Sequence, residues 1–149
     1  MNILRLKPGR EKSLLRRHPW LFSGAIATQN QDAPGDGETV QVFDSHGQVV
    51  AWGAYRSQSQ IRVRIWSWHP NEQIDEDFFR RRLSTAIDAR NRYATRVQTN
   101  ALRLVHGESD GLPGLIVDRY ADVLVVQILS CGAEYWRGLI ADLLVEITG

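Results

Sequence analysis

The segment Ile61–Trp68, IRVRIWSW, constrains the fold more than any other stretch, because its side chains alternate strictly between apolar and polar as far as Ile65. Period-two patterning assigns Ile61, Val63 and Ile65 to one face of a strand, and Arg62, Arg64, Trp66 and Trp68 to the other. A strand with one buried face needs partners, and the preceding residues supply them. Asn2–Leu6 reads as a short strand broken by Pro8 and Gly9, and WLFSGAI (residues 20–26) as a second. TVQVFD and QVVAWGAY, joined through DSHG, read as a hairpin, and NQDAPGDG (Asn30–Gly37) is a loop dense in turn formers. Between the first strands REKSLLRRH (Arg10–His18) predicts a short helix, stopped by Pro19, which cannot continue one. Short strands spaced by turns, with one helix, predict a small closed or nearly closed β-barrel over residues 1–70, with the helix plugging or flanking it.

After His69-Pro70-Asn71 the pattern changes. IDEDFFRRRLSTAIDARNRYA predicts a helix with Asp75 as its N-cap and Glu76 and Asp77 in the first turn, where the macrodipole favours carboxylates. Phe79, Leu83, Ala86, Ile87 and Ala94 form its apolar stripe, and Arg80, Arg81 and Arg82 read as a solvated face rather than an RNA contact. Three strands follow, ALRLVH, GLIVDR and VLVVQIL, then an amphipathic helix over Ala133–Ile147 with Trp136, Leu139, Ile140, Leu143 and Ile147 on one side. The class is therefore mixed α+β: a barrel over 1–70, then a linker helix and an α+β module over 71–149. Three strands under one helix leave an open sheet edge, so the second module is expected to be incomplete and the chain to be the front part of something longer.

Charge divides at the same place. Residues 1–70 hold nine Lys/Arg against five acids, and residues 71–149 nine against twelve. The richest patch is KPGREKSLLRRHPW, where Lys7, Arg10, Lys12, Arg16 and Arg17 face a single acid, Glu11. Gly9 lets backbone approach a nucleic acid closely, and N–H groups at the start of a helix favour phosphate. Sixteen of the eighteen basic residues are Arg, whose planar fork suits phosphates and base edges, although an Arg-rich genome would produce the same ratio. On IRVRIWSW, cations interleaved with rings can hold phosphates and stack bases. Trp66 and Trp68 are assigned instead to packing under the following helix. Arg62 and Arg64 stay open between RNA contact and covering those rings, and both join the candidate list.

Several functions are excluded or disfavoured. No apolar run approaches the ~20 residues of a membrane span, and MNILRLKPGREKSLLRRHPW has no apolar signal region. The four histidines sit far apart and near no cysteine pair, so zinc-type spacing is absent. Cys131 is the only cysteine; it permits no internal disulfide and fits a reducing cytoplasm. VHGESDGLPGLIVDRY (105–120) looks like a site, but its acids would repel a phosphate, no P-loop Lys or Ser/Thr accompanies them, and oxygen ligands at metal-loop spacing are too few. Its glycines and Pro113 fit a sharp reversal between strands. No nucleophile–base pair accompanies Glu108 and Asp110.

LKPGREKSLLRRHPWLFSGAI, GAYRSQSQIRVRIW, FFRRRL and RLVHGESDGLPGLIVDRY closely resemble, in order, the N-terminal half of the PUA-domain-containing class I methyltransferases. The likeness spans essentially all of the chain. It implies a PUA RNA-binding domain over 1–70, then a linker helix and the first part of a central α+β domain over 71–149. In the nearest branch the implied activity is S-adenosylmethionine-dependent methylation of cytosine C5 in 23S rRNA, with RNA as partner. The family's catalytic domain and its cysteine nucleophile fall outside this stretch. No catalytic, cofactor-binding or metal residue is therefore assigned here, and Cys131 is read as a small, partly buried side chain at a helix start. The sequence carries no strand–glycine turn–helix for the cofactor. The competing reading is a self-sufficient RNA- or protein-binding module whose second part serves self-association, as in a homodimer.

Overall fold

The computed structural model describes residues 2–27 and 33–149. Residues 30–32 of the expected NQDAPGDG loop lie outside them. The chain forms two compact units, Met1–Gln73 and Ile74–Gly149.

In the first unit, β1 (Asn2–Arg5), β2 (Trp20–Phe22), β3 (Thr39–Phe43), β4 (Val49–Tyr55) and β5 (Ile61–Ser67) form one sheet in the order β1-β3-β4-β5-β2. Only the β1–β3 pairing is parallel. Beyond β2 the chain makes a 3-10 turn, Ser23–Ala25, and returns alongside β1. Leu6 bridges Ile26, the Lys7 amide donates to the Ala25 carbonyl at 2.9 Å, and the Ala27 amide to that of Arg5 at 2.8 Å. This return pairing closes the expected barrel. Leu4, Leu6, Leu21, Val40, Val42, Val63 and Ile65 fill its core.

The helix between the first strands is shorter than expected. α1 covers only Lys12–Leu15, and Leu14 is its one buried side chain. Full burial of a leucine contributes roughly 1.5–3 kcal/mol, which pins one turn to the barrel and no more. Arg17 then turns left-handed (φ 59°), its amide donating to the Leu14 carbonyl at 2.8 Å, and the His18 amide donates to that of Ser13 at 2.9 Å. The helix thus ends well before Pro19 and offers no extended N-terminus for a phosphate.

The alternation of β5 also breaks. Its partner β4 sets Trp52 opposite Ser67 but Gly53 opposite Ile65, so Trp66 is an extra residue on the strand. Ile65, Trp66 and Ser67 are consequently all buried, and Trp68 packs against the barrel core instead of sharing the face of Arg62 and Arg64.

The second unit opens with α2 (Glu76–Val97), capped as expected: the Phe78 amide donates to Asp75 Oδ1 at 3.0 Å. Phe79, Leu83, Ala86, Ile87 and Ala94 are all buried, and the Phe79 ring lies 5.1 Å from that of Trp136. An antiparallel sheet follows in the order β6 (Ala101–His106), β7 (Leu115–Tyr120), β8 (Val123–Ile128). The single helix expected over 133–147 is two, α3 (Cys131–Tyr135) and α4 (Arg137–Thr148), because the chain leaves helical geometry at Trp136 (ψ 9°). Ile140, Leu143 and Leu144 of α4 are buried. One sheet face keeps Leu115 and Val117 buried, while Tyr120, Val123 and Val125 stand exposed on the other.

Candidate nucleic-acid interface

The basic stretch lies where the barrel closes. After Leu6 the chain turns through Pro8 and Gly9, whose φ of +75° is a left-handed conformation that glycine adopts freely. A Cβ there would meet nothing within 4 Å, so the backbone angle, and not crowding, selects glycine and leaves the main chain accessible. Lys7, Arg10, Lys12, Arg16 and Arg17 are all exposed, and among the described residues none of the five pairs with a carboxylate. Lys7 Nζ donates to the Gly24 carbonyl at 3.1 Å, tying the turn to the segment after β2.

A cavity of about 370 Å³ opens between these segments, lined by Gly9, Arg10, Lys12 and Ser13 on one side and by Leu21, Phe22, Gly24 and Ala25 on the other. Beside it runs an aromatic strip. Leu21 is buried in the core, while Trp20 is partly exposed and Phe22, past a register shift after Leu21, is exposed. The His18 ring lies 6.0 Å from Trp20, edge to face, and 6.3 Å from Phe22. Arg64, the register partner of Trp20, stacks over the Trp20 ring at 5.4 Å and so joins this surface.

Arg62 does not join it. Its guanidinium donates to the Ser57 carbonyl and lies 6.0 Å from the Tyr55 ring, lining a separate cavity of about 270 Å³ with Leu4, Ser23 and Tyr55. The sequence reading missed Phe22 and Ser13. No sequence signal fixes Phe22, because the pairing of β2 with β5 shifts register between Leu21 and Phe22.

The conspicuous loop of the second unit is built differently. Gly107–Asp110 makes a 3-10 turn, and the whole reversal ends at Gly114 (φ +77°), where a Cβ would fall 2.4 Å from Ser130 Oγ. Asp110 receives both Nη groups of Arg90, at 2.7 and 2.9 Å, and the His106 amide at 2.6 Å. Asp118 receives Nε and Nη2 of Arg103 across the β6–β7 pair at 2.8 and 3.1 Å. Arg103 holds the Asp118 carboxyl below its ordinary value, chiefly by these hydrogen bonds. These acids are therefore taken up by arginines within the unit. Among the described residues no three His, Cys, Asp or Glu side chains converge as a metal site.

The Arg run of α2 is more engaged than a solvated face. Arg80 bonds Glu76 at 2.6 Å and also Glu146, and the Arg82 guanidinium lies 5.2 Å from the Phe78 ring. Cys131 is half-buried at the start of the five-residue α3. The described residues do not fit S-adenosylmethionine. Neither sheet is a parallel one with a glycine-rich turn feeding a helix, the cradle such a cofactor needs. Among the described residues no helix is long and apolar enough to cross a membrane.

Comparison with known proteins agrees with this architecture. Residues 4–68 match the family model of the PUA-like domain. Ribosomal RNA large subunit methyltransferase I of Erwinia tasmaniensis is 54% identical over 132 residues, which is 89% of this chain and 33% of that protein. The protein of the same name from Escherichia coli (strain SMS-3-5) is 50% identical over 139 residues, 93% of this chain and 35% of its own length. The chain thus spans about a third of the curated relatives it matches. A solved structure titled "A putative sam-dependent methyltransferase from Streptococcus mutans" superposes with a TM-score of 0.82 at 20% identity, covering 99% of this chain and 38% of that one.

Proposed function

We propose, for a chain whose residues 4–68 are a PUA-like domain and which is homologous to the N-terminal third of ribosomal RNA large subunit methyltransferase I, that its barrel recognises RNA for a methyltransferase. The observation that carries this reading is the set of exposed cations from Lys7 to Arg17 that, among the described residues, no carboxylate pairs with. Five such charges within eleven residues attract a polyanion from a distance and release its counterions on contact. Lys7, Arg10, Lys12 and Arg64 border the cavity or its aromatic strip, and Arg16 and Arg17 extend the charge past α1. Arg62 contributes at most at the margin, because its guanidinium is already held by Ser57. In this reading the first domain is residues 1–70 and the supporting α+β domain 71–149. The partner is 23S rRNA, the compartment the cytoplasm, and the supported reaction S-adenosylmethionine-dependent methylation of cytosine C5.

In this reading the second unit is a supporting domain, whose loop is held by the Arg90–Asp110 pair. A homodimer is a second reading with one support, the exposed apolar face formed by Tyr120, Val123 and Val125. Sedimentation equilibrium decides it: a concentration-independent monomer mass removes that reading.

The direct test is fluorescence anisotropy with a structured 23S rRNA fragment. The chain binds it, the combined variant Arg10→Glu, Arg16→Glu, Arg17→Glu binds it far more weakly, and both keep the same circular dichroism. Equal affinity of the two proteins would place the interface elsewhere. With labelled S-adenosylmethionine the chain alone transfers no methyl group; a measurable rate would reverse the role given to Cys131.

A further inference from the structure

From the cavity beside Phe22 we infer that the barrel's RNA ligand is single-stranded at the point of contact, with one unpaired nucleobase stacked on the Phe22 ring. The inference rests on the RNA reading above and specifies what kind of RNA the surface accepts. Phe22 is 48% exposed although it belongs to a barrel strand, and a phenyl ring left in water forgoes much of the stabilisation its burial would give. Its neighbour Trp20 is already covered, with Arg64 over its ring and His18 against its edge. Phe22, with the His18 ring tilted 6.3 Å away, is the more exposed of the two strand aromatics. It borders a cavity of about 370 Å³, a size at which clefts accept small planar ligands.

The lining matches a nucleotide in its other parts. Phe22 and Ala25 supply apolar surface for a base, and the Ser13 hydroxyl supplies a donor and an acceptor for its edge. Arg10 and Lys12 stand on the opposite wall, paired with no carboxylate among the described residues and in reach of the phosphates that flank an inserted base. Gly9 leaves main chain open beside them. A base inside an intact duplex has both faces stacked and cannot present one to Phe22. A base in a loop, bulge or single strand can, and stacking on an aromatic ring is how such bases are commonly held.

The test compares an unstructured RNA octamer with a blunt duplex of the same sequence, each titrated into the full chain, its Phe22→Ala and Phe22→Leu variants, and Phe22→Trp. The expected result is that Ala and Leu weaken octamer binding between about 5- and 150-fold, the range that corresponds to truncating a stacking residue. Trp restores it, and duplex affinity stays unchanged in all four. A 2-aminopurine placed in the octamer is quenched by the wild-type chain and not by Phe22→Leu. Because Leu keeps apolar bulk without a π-face, a loss shared by Ala and Leu reports stacking and not misfolding. Octamer affinity that is indifferent to Phe22 would overturn the stacking site while leaving the electrostatic RNA reading in place. If neither RNA binds the wild-type chain, both readings fall together.

Discussion

Arginine does different work in the two units. In the second, Arg80, Arg90, Arg103 and Arg137 each hold a carboxylate: Glu76 and Glu146, Asp110, Asp118 and Glu134. In the first, Arg56 meets Asp36 at 3.7 Å, but the cations between Lys7 and Arg17 hold no carboxylate among the described residues. A paired guanidinium positions backbone, and its charge is cancelled locally. An unpaired one raises the local potential and is available to a ligand. Counting basic residues cannot separate these uses, since residues 1–70 and 71–149 each contain nine. Their partners can.

That contrast can be broken in several places. The largest expected effect is on RNA binding: reversing Arg10, Arg16 and Arg17 lowers affinity about 100-fold at low salt, measured by anisotropy, with the unfolding midpoint kept. Reversing Arg80, Arg90 and Arg103 instead damages folding and leaves the RNA-binding surface of the barrel intact, as limited proteolysis and binding to the residual folded fraction would show.

Next is Asp110→Ala. Asp110 is 10% exposed and accepts from Arg90 and the His106 amide, so its loss costs about 2–3 kcal/mol in urea unfolding of the second unit. RNA affinity does not change. A loss of affinity without a loss of stability would make the loop a binding element after all.

A smaller effect concerns pH. The folded Asp118 carboxyl titrates below its ordinary value of about 4, so its contribution is complete above that value and disappears as pH falls through the folded pKa. Asp118→Asn is therefore less stable than wild type at pH 7, and the gap closes toward pH 2 in chemical unfolding. A gap that widens on acidification would contradict the Arg103 pairing.

The smallest separates shape from charge at one residue. Arg17 is left-handed, which a side chain adopts at a cost and glycine does not. Arg17→Gly should leave the melting temperature level or slightly raised while weakening RNA binding a few-fold.

Much of the fold was legible because it depends on local pattern. The alternation of residues 61–65, the turn formers around Gly47 and the periodic stripe of α2 each specify an element without knowing its neighbours. What was not legible depends on partners. The extra residue at Trp66 exists only because β4 pairs around it, so the strict alternation assigned Trp68 to the wrong face. The length of α1 was set by one buried leucine and a left-handed Arg17, neither of which the run of helix formers reveals. Asp110 and Arg90 lie twenty residues apart on different elements, and no sequence spacing announces their pairing. For the candidate interface, sequence located the charges. The structure added the cavity, placed Arg64 on the same surface through Trp20, and put Arg62 at a separate cavity.

The central claim is that the unpaired cations of the first unit form the RNA surface, and the salt dependence of binding tests it most directly. With three to five phosphate contacts by these residues, log affinity for single-stranded RNA should fall against log salt with a slope between about −2 and −3.5, and the slope should flatten in the Arg10, Arg16, Arg17 reversal. A slope near zero, or one identical in the two proteins, would contradict the account.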